Sequence, residues 1–200
     1  MNYLAHAYLS GDDPEILFGN FVADSIKGKK LNDYPLRIQE GVQLHRAIDN
    51  FTDQHEIVRQ CNELLQPIFR KYAGVITDIY FDHFLALHWH RYSEKDLVEF
   101  SMHVYQTLLK RYTILPPRSR RILPWMMAQN WLVGYANLRD LQRVFNGMSR
   151  RTKFDSGMEN AVVFLVDNYL FFERNFNAFF PELMQFSTEF MSQIPNKSAD

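Results

Sequence analysis

An all-α bundle in a single domain is what this sequence predicts, and three observations predict it. Apolar residues recur at helical spacing along nearly the whole chain, and the alternating Val/Ile/Thr runs that mark strands are missing. Hydrophobic residues make up 46% of the 200, Phe alone appearing 17 times, which is enough apolar surface to fill one sizeable core.

The elements follow in order. A first helix spans roughly Asn2 to Leu9, and Pro14 starts a second, ILFGNFVADSIK, that stops at the Gly28-Lys29-Lys30 turn. The third runs from about Tyr34 to Asp53. A fourth begins near His55 and carries Ile57, Val58, Leu64, Leu65, Ile68 and Phe69, with Pro67 expected to bend it. Asp53 fits the N-cap of that helix, because Asp-Gln-His-Glu follows a capping pattern. Gly74 separates it from a fifth, VITDIYFDHFLALHWHRY, apolar around most of its circumference and expected to lie centrally. Ser93 caps the next, which Pro116-Pro117 ends. A helix with Trp125 and Trp131, a shorter one after Asn137, and a long aromatic helix from about Phe154 to Phe180 closed by Pro181 complete the bundle. The tail Pro195 to Asp200 is expected to fray. No repeat, low-complexity tract or composition shift divides residues 1–200.

Composition excludes several classes of function. The 22 Lys plus Arg balance 23 Asp plus Glu for a net charge of -1, so the chain as a whole does not advertise binding to nucleic acid or an anionic membrane. A single cysteine, Cys61, forms no internal disulfide and no zinc-binding pair, which suits a reducing cytoplasm. The opening MNYLAHAYLS lacks the basic leader of a secretion signal, and no uncharged apolar run approaches the roughly 18 residues of a membrane span. His55-Glu56 is followed by Arg59 where a zincin needs a second histidine, and no Gly-rich phosphate loop or dinucleotide fingerprint is present. Cys61, the Met and Phe stripes, and His88, His90 and His103 read as packing or surface residues.

The chemistry is expected where ionisable residues interrupt apolar helices, because an unpaired charge there costs several kcal/mol, roughly, unless something compensates it. His45, Asp49 and Asp53 follow one another at four-residue spacing on the third helix and share a face. Asp78 and Asp82 repeat the arrangement on the fifth, with His83 rotated about 100° from Asp82. Asp24 lies among Phe21, Val22 and Ile26. Such pairs also occur as plain helix-surface stabilisers, but carboxylate and imidazole ligands together suit Mn²⁺, Fe²⁺, Mg²⁺ or Zn²⁺, any of which would neutralise the acids and acidify water for hydrolysis. Three basic clusters stand on turns: Lys27, Lys29 and Lys30; Arg118, Arg120 and Arg121; and Arg150, Arg151 and Lys153. They are a solvated face or, if they converge on the acids, a hold on a phosphate-bearing or acidic partner.

The successive segments MNYLAHAYLS, GNFVADSIKG, GVQLHRAIDNFTD, DHFLALHW, QNWLVGY and VFNGMSRR resemble the motifs of acyl carrier protein phosphodiesterases, in order and over roughly residues 1 to 180. That resemblance implies a fold distantly like the HD phosphohydrolases, a divalent metal that is often manganese, and cleavage of 4′-phosphopantetheine from the serine of a small, acidic holo acyl carrier protein. It implies His6, Asp24, His45, Asp49, Asp82 and His83 as metal ligands or catalytic groups and Arg46 as a phosphate clamp, with Asn2, Asn20 and Asp78 in support. Hydroxide would attack phosphorus in line while a neighbouring His or Asp protonates the leaving serine. The broader HD pattern is not kept, since only the reversed Asp82-His83 is present. Two other readings stay open: a related phosphohydrolase of nucleotides or other small phosphate esters, and a non-catalytic helical binding module. The sequence leaves the oligomeric state open.

Overall fold

The computed structural model describes residues 1–153 and 155–194. Every regular element in them is helical: α1 Tyr3–Leu9, α2 Pro14–Val22, α3 Leu36–Gln54, α4 Glu56–Phe69, α5 Ala73–Leu87, α6 Leu97–Lys110, α7 Pro117–Ala128, α8 Trp131–Gly134, α9 Leu138–Ser149, α10 Ala161–Asp167 and α11 Tyr169–Gln193. Short 3₁₀ turns join many of them. None of these helices is long and apolar enough to cross a membrane.

Local chemistry sets the boundaries. Asp13 accepts the Glu15 and Ile16 amides at 2.8 and 3.2 Å and Pro14 supplies the first turn, so α2 begins where the sequence predicts. It ends early, at Val22, and Asp24 lies in the 3₁₀ turn Ala23–Ser25 that follows. His55, not Asp53, caps α4, its Nδ1 accepting the Ile57 amide at 3.3 Å, while Asp53 belongs to the last turn of α3. The break before α5 falls at Arg70, which takes a φ of 52°, and Gly74 lies inside the helix. Asp96 rather than Ser93 caps α6. The Trp125 and Trp131 segment is two helices, broken where Asn130 adopts a left-handed φ of 43°. The predicted aromatic helix is also two, α10 and α11, and Pro181 sits within the second instead of closing it. The expectations for Phe154 and for the tail from Pro195 fall outside the described residues.

One apolar cluster draws on all eleven helices, with α5 at its centre. Ile76, Ile79, Tyr80, Phe81, Phe84 and Leu85 are fully buried along α5, and each such side chain removed from water contributes roughly 1.5–3 kcal/mol. Tyr80 donates its hydroxyl to the Ala161 carbonyl, and Phe172, Phe176, Phe179 and Phe180 of α11 are buried in the same cluster. Cys61 is buried in it too, and burial pushes its thiol up to about 12, so it is inert core.

Helices α2 and α3 cross at Gly19 and Gly41, where their backbones touch. A Cβ on Gly41 would stand 2.3 Å from the Ile16 carbonyl oxygen, and one on Gly19 would stand 2.1 Å from that of Ile38. Neither backbone can move aside without separating the helices that carry Asn20 and His45. Gly41→Ala is therefore expected to cost about 3 kcal/mol, the upper end for overpacking, read as a lower urea midpoint. Gly74→Ala, where a Cβ meets nothing within 4 Å, is the control and should be neutral or slightly stabilising.

Candidate metal centre

Four elements bring one group of side chains together: His6 from α1, Asn20 from α2, Asp24 from the turn after it, and His45 with Asp49 one turn apart on α3. Asn20 is fully buried and acts as the hub. Its Nδ2 donates to the His6 carbonyl and to Ser10 Oγ, both at 2.9 Å, and this turns its Oδ1 toward the two imidazoles. His6 Nδ1 and His45 Nδ1 donate to that single oxygen at 2.9 and 3.1 Å. Both histidines therefore commit Nδ1 to the Asn20 oxygen and turn Nε2 to the other side, the nitrogen a metal would take on losing any proton there, as in metal-binding histidines whose ring a carbonyl oxygen fixes.

Asp49 receives those nitrogens. Its Oδ1 is 3.2 Å from His6 Nε2 and its Oδ2 is 3.1 Å from His45 Nε2, while Asp24 Oδ1 is 3.4 Å from His45 Nε2. The imidazoles stack with centroids 4.0 Å apart. One ligand atom from each of His6, His45 and Asp49 lies within 4.8 Å of the others. His45 Nε2 is buried and yet makes no hydrogen bond of acceptable geometry. Its polar neighbours are the Asp49 and Asp24 carboxylates, and two imidazole nitrogens facing a carboxylate in a space this small are a donor set that suits a divalent cation, so the residues present fit such an ion.

The charges are arranged accordingly. Burial opposes a charged His45, but Asp24 and Asp49 prevail and raise it to about 9. Burial likewise works against an ionised Asp49, and His45 and His6 nonetheless hold its carboxyl well below the usual range. Burial lowers His6 despite Asp49, whereas Asp24 is held low chiefly by its contact with His45. Asp24 is no buried acid: its side chain is 73% exposed.

Asp82 and His83 have other partners. Asp82, fully buried on α5, accepts the Asn2, Leu4 and Ala5 amides at 3.3, 2.7 and 3.3 Å and so holds the amino end of α1. Burial, against those donors, pushes it up to about 7. His83 Nδ1 donates to the Tyr135 carbonyl at 2.7 Å, leaving Nε2 to accept the Tyr169 hydroxyl at 3.0 Å, and neither ring nitrogen is free for a metal. Asp78 lies 2.9 Å from the Met1 amino group, and Asn2 caps α1.

The cluster opens on a cavity of about 1070 Å³. Arg118, Arg121 and Arg151 line it, and Arg143 joins them. Arg46 is exposed on α3 and outside the lining, because it is rotated about 100° from the inward His45. Arg120 bends over the Tyr112 ring and donates to the Thr113 and Leu115 carbonyls; Lys27, Lys29 and Arg150 are exposed away from the cavity, and Lys30 lines a smaller groove. Tyr3, one turn before His6, faces the cavity within the electrostatic reach of Arg118, Arg151 and Asp24 alike, with burial raising its phenol. Ile122, Trp131, Val144, Met148 and Met158 give the cavity an apolar wall. Arg143 was legible in the sequence: Asp140, Arg143, Val144 and Gly147 fall at three- and four-residue intervals on one stripe of α9, away from the buried Leu141 and Phe145, and Arg151 continues the spacing just past the helix end.

Residues 1–183 match the family model described as acyl carrier protein phosphodiesterase. Among curated proteins of that name, the one from Klebsiella pneumoniae (strain 342) is 34% identical over 187 residues, 92% of this chain and 96% of the relative. That of Enterobacter sp. (strain 638) is 32% identical over 199 residues, 98% and 99% of the two chains, and that of Escherichia coli O157:H7 (strain EC4115 / EHEC) is 32% identical over 186, or 92% and 96%. No solved structure matches.

Proposed function

The chain belongs to the acyl carrier protein phosphodiesterase family, and on that premise we propose that it hydrolyses the phosphodiester between 4′-phosphopantetheine and the serine of holo acyl carrier protein, leaving apo carrier protein. The observation that carries this reading is the shared cavity: a His6–His45–Asp49 cluster and four arginines line the same open cavity. Such a space suits an anionic phosphodiester with a long, mostly uncharged arm, which the apolar wall would cover.

His6, His45 and Asp49, with Asp24 beside them, would hold the divalent ion, and Mn²⁺ is our choice. When bound, it supplies Lewis-acid polarisation of a phosphoryl oxygen and a lower pKa for water. The protein does the rest. Arg118 and Arg121, one turn apart on α7, have no carboxylate within ion-pair distance among the described residues, so their guanidinium groups are available to the non-bridging oxygens. Asp24 is ionised and open to the cavity, which suits it to take the proton of the attacking water. The water oxygen forms its bond to phosphorus as the P–O bond to serine breaks, and the proton taken up by Asp24 passes to the departing serine oxygen. Asn20 holds both Nδ1 atoms on its side chain oxygen, which leaves the two Nε2 atoms for the ion. We place this reaction in the cytoplasm, where the buried lone Cys61 stays reduced.

Incubating purified protein and Mn²⁺ with holo carrier protein should remove the mass of phosphopantetheine from the carrier, read by mass spectrometry. No loss with Mn²⁺, Mg²⁺, Fe²⁺ or Zn²⁺, alongside cleavage of a nucleotide panel, would overturn the assignment.

A further inference from the structure

Next to the catalytic cavity lies a second hollow of about 440 Å³, between the turn Gly28–Asp33 and the hook that joins α6 to α7. Ile26, Tyr34, Ile114, Leu115 and Pro116 make it mostly apolar, and Lys30 stands at its edge. Its walls are tied in place. The Tyr34 hydroxyl donates to the Ile114 carbonyl at 3.1 Å, and Arg120 secures the hook through the Thr113 and Leu115 carbonyls at 2.8 and 3.1 Å. A preformed groove of this kind binds without first having to order itself.

Groove and cavity share a wall one residue thick. Asp24 and Arg118 line the cavity, while their immediate neighbours Ser25 and Pro117 line the groove. Ser25 Oγ and Ser119 Oγ, 3.1 Å apart, stitch the wall together. Consecutive Cα atoms are about 3.8 Å apart, so a polypeptide whose modified serine lies over Asp24 and Arg118 crosses that ridge within two or three residues. Beyond it the chain meets an apolar slot under a positive rim. Lys27 and Lys29 are exposed beside Lys30, and no carboxylate among the described residues lies within ion-pair distance of the three, although Asp33 lines the same groove.

We propose that this groove is the docking surface for the protein part of the substrate, receiving an apolar side chain from an acidic, amphipathic segment next to the modified serine. The inference rests on the function proposed above and goes beyond it by locating the partner: the lysine turn and the hook recognise the carrier, while the four arginines meet the phosphodiester. Rim charges of this kind mainly set encounter rate and apparent affinity.

The test compares two substrates under Mn²⁺: intact holo carrier protein, and phosphopantetheine esterified to N-acetylserine amide. Lys30→Glu and Ile114→Glu alter exposed side chains outside the catalytic cavity, and neither removes a backbone carbonyl that Tyr34 or Arg120 uses. Each is expected to lower kcat/KM for the carrier about tenfold, chiefly through KM, and to leave the small diester within about twofold of wild type. Unchanged carrier kinetics in both variants would overturn the docking surface and leave the proposed function standing. Equal losses on both substrates would also overturn it, since the groove would then act through the catalytic site. If the wild-type protein releases nothing from the carrier, the function and the docking surface fall together.

Discussion

His45→Gln and Asp49→Asn are each expected to abolish retention of Mn²⁺ after desalting and to lower kcat/KM on holo carrier protein by on the order of 10³-fold or more. That exceeds the roughly 10–100-fold typical of losing an outer-shell partner, because each substitution removes one of the three groups whose ligand atoms lie within 4.8 Å of one another. His45 contributes a buried Nε2, and Asp49 is the carboxylate within 3.2 Å of both imidazoles. Arg46→Ala is the internal control. Arg46 follows His45 immediately yet points away from the cavity, so its removal should leave metal content unchanged and activity within about twofold. Metal content by atomic absorption, measured beside turnover, separates loss of the site from loss of the protein. A greater loss from Arg46→Ala than from His45→Gln would mean that the wrong face of α3 has been identified as the site.

Asp82→Ala is expected to cost about 3–5 kcal/mol of folding stability, which is a large fraction of what a domain this size has. The substitution strands the Asn2, Leu4 and Ala5 amides, of which Leu4 and Ala5 are fully buried residues, and it leaves the amino end of α1 without its countercharge. His6 lies one residue beyond the last of those amides, so metal retention should fall even where the protein is still folded. Asp82→Asn keeps one accepting oxygen and should fall between Ala and wild type. Urea unfolding gives the energy, and hydrogen exchange at the Leu4 and Ala5 amides gives the location. A change below about 1 kcal/mol, with those amides still protected, would contradict the assigned role.

These two predictions also mark where the sequence was readable. Helical periodicity was enough to give the helix inventory and to place His45 and Asp49 on one face of α3, because both facts are local. The same periodicity put Asp78 and Asp82 on one face of α5, but a face has no label. Only the tertiary arrangement shows that it receives the start of α1, Asp82 taking the Leu4 amide and Asp78 the Met1 amino group. The breaks inside the predicted helices at Val22, Asn130 and Asn168 were hidden for a related reason: helix-compatible residues flank each one, and packing decides where the chain turns. Pro181 shows the converse, a helix breaker carried within the 25 residues of α11 alongside buried phenylalanines. Arg118, Arg121 and Arg151 were visible as charge clusters, yet their convergence on the cavity depends on how α7 and α9 pack, which no local pattern encodes.

The most direct measurement is anomalous diffraction at the manganese edge from crystals grown with Mn²⁺. A single strong peak within roughly 2–2.5 Å of His6 Nε2, His45 Nε2 and an Asp49 oxygen is the predicted result. A peak seated on Asp82 and His83, or no peak in the cavity from protein that is active with Mn²⁺, would contradict it.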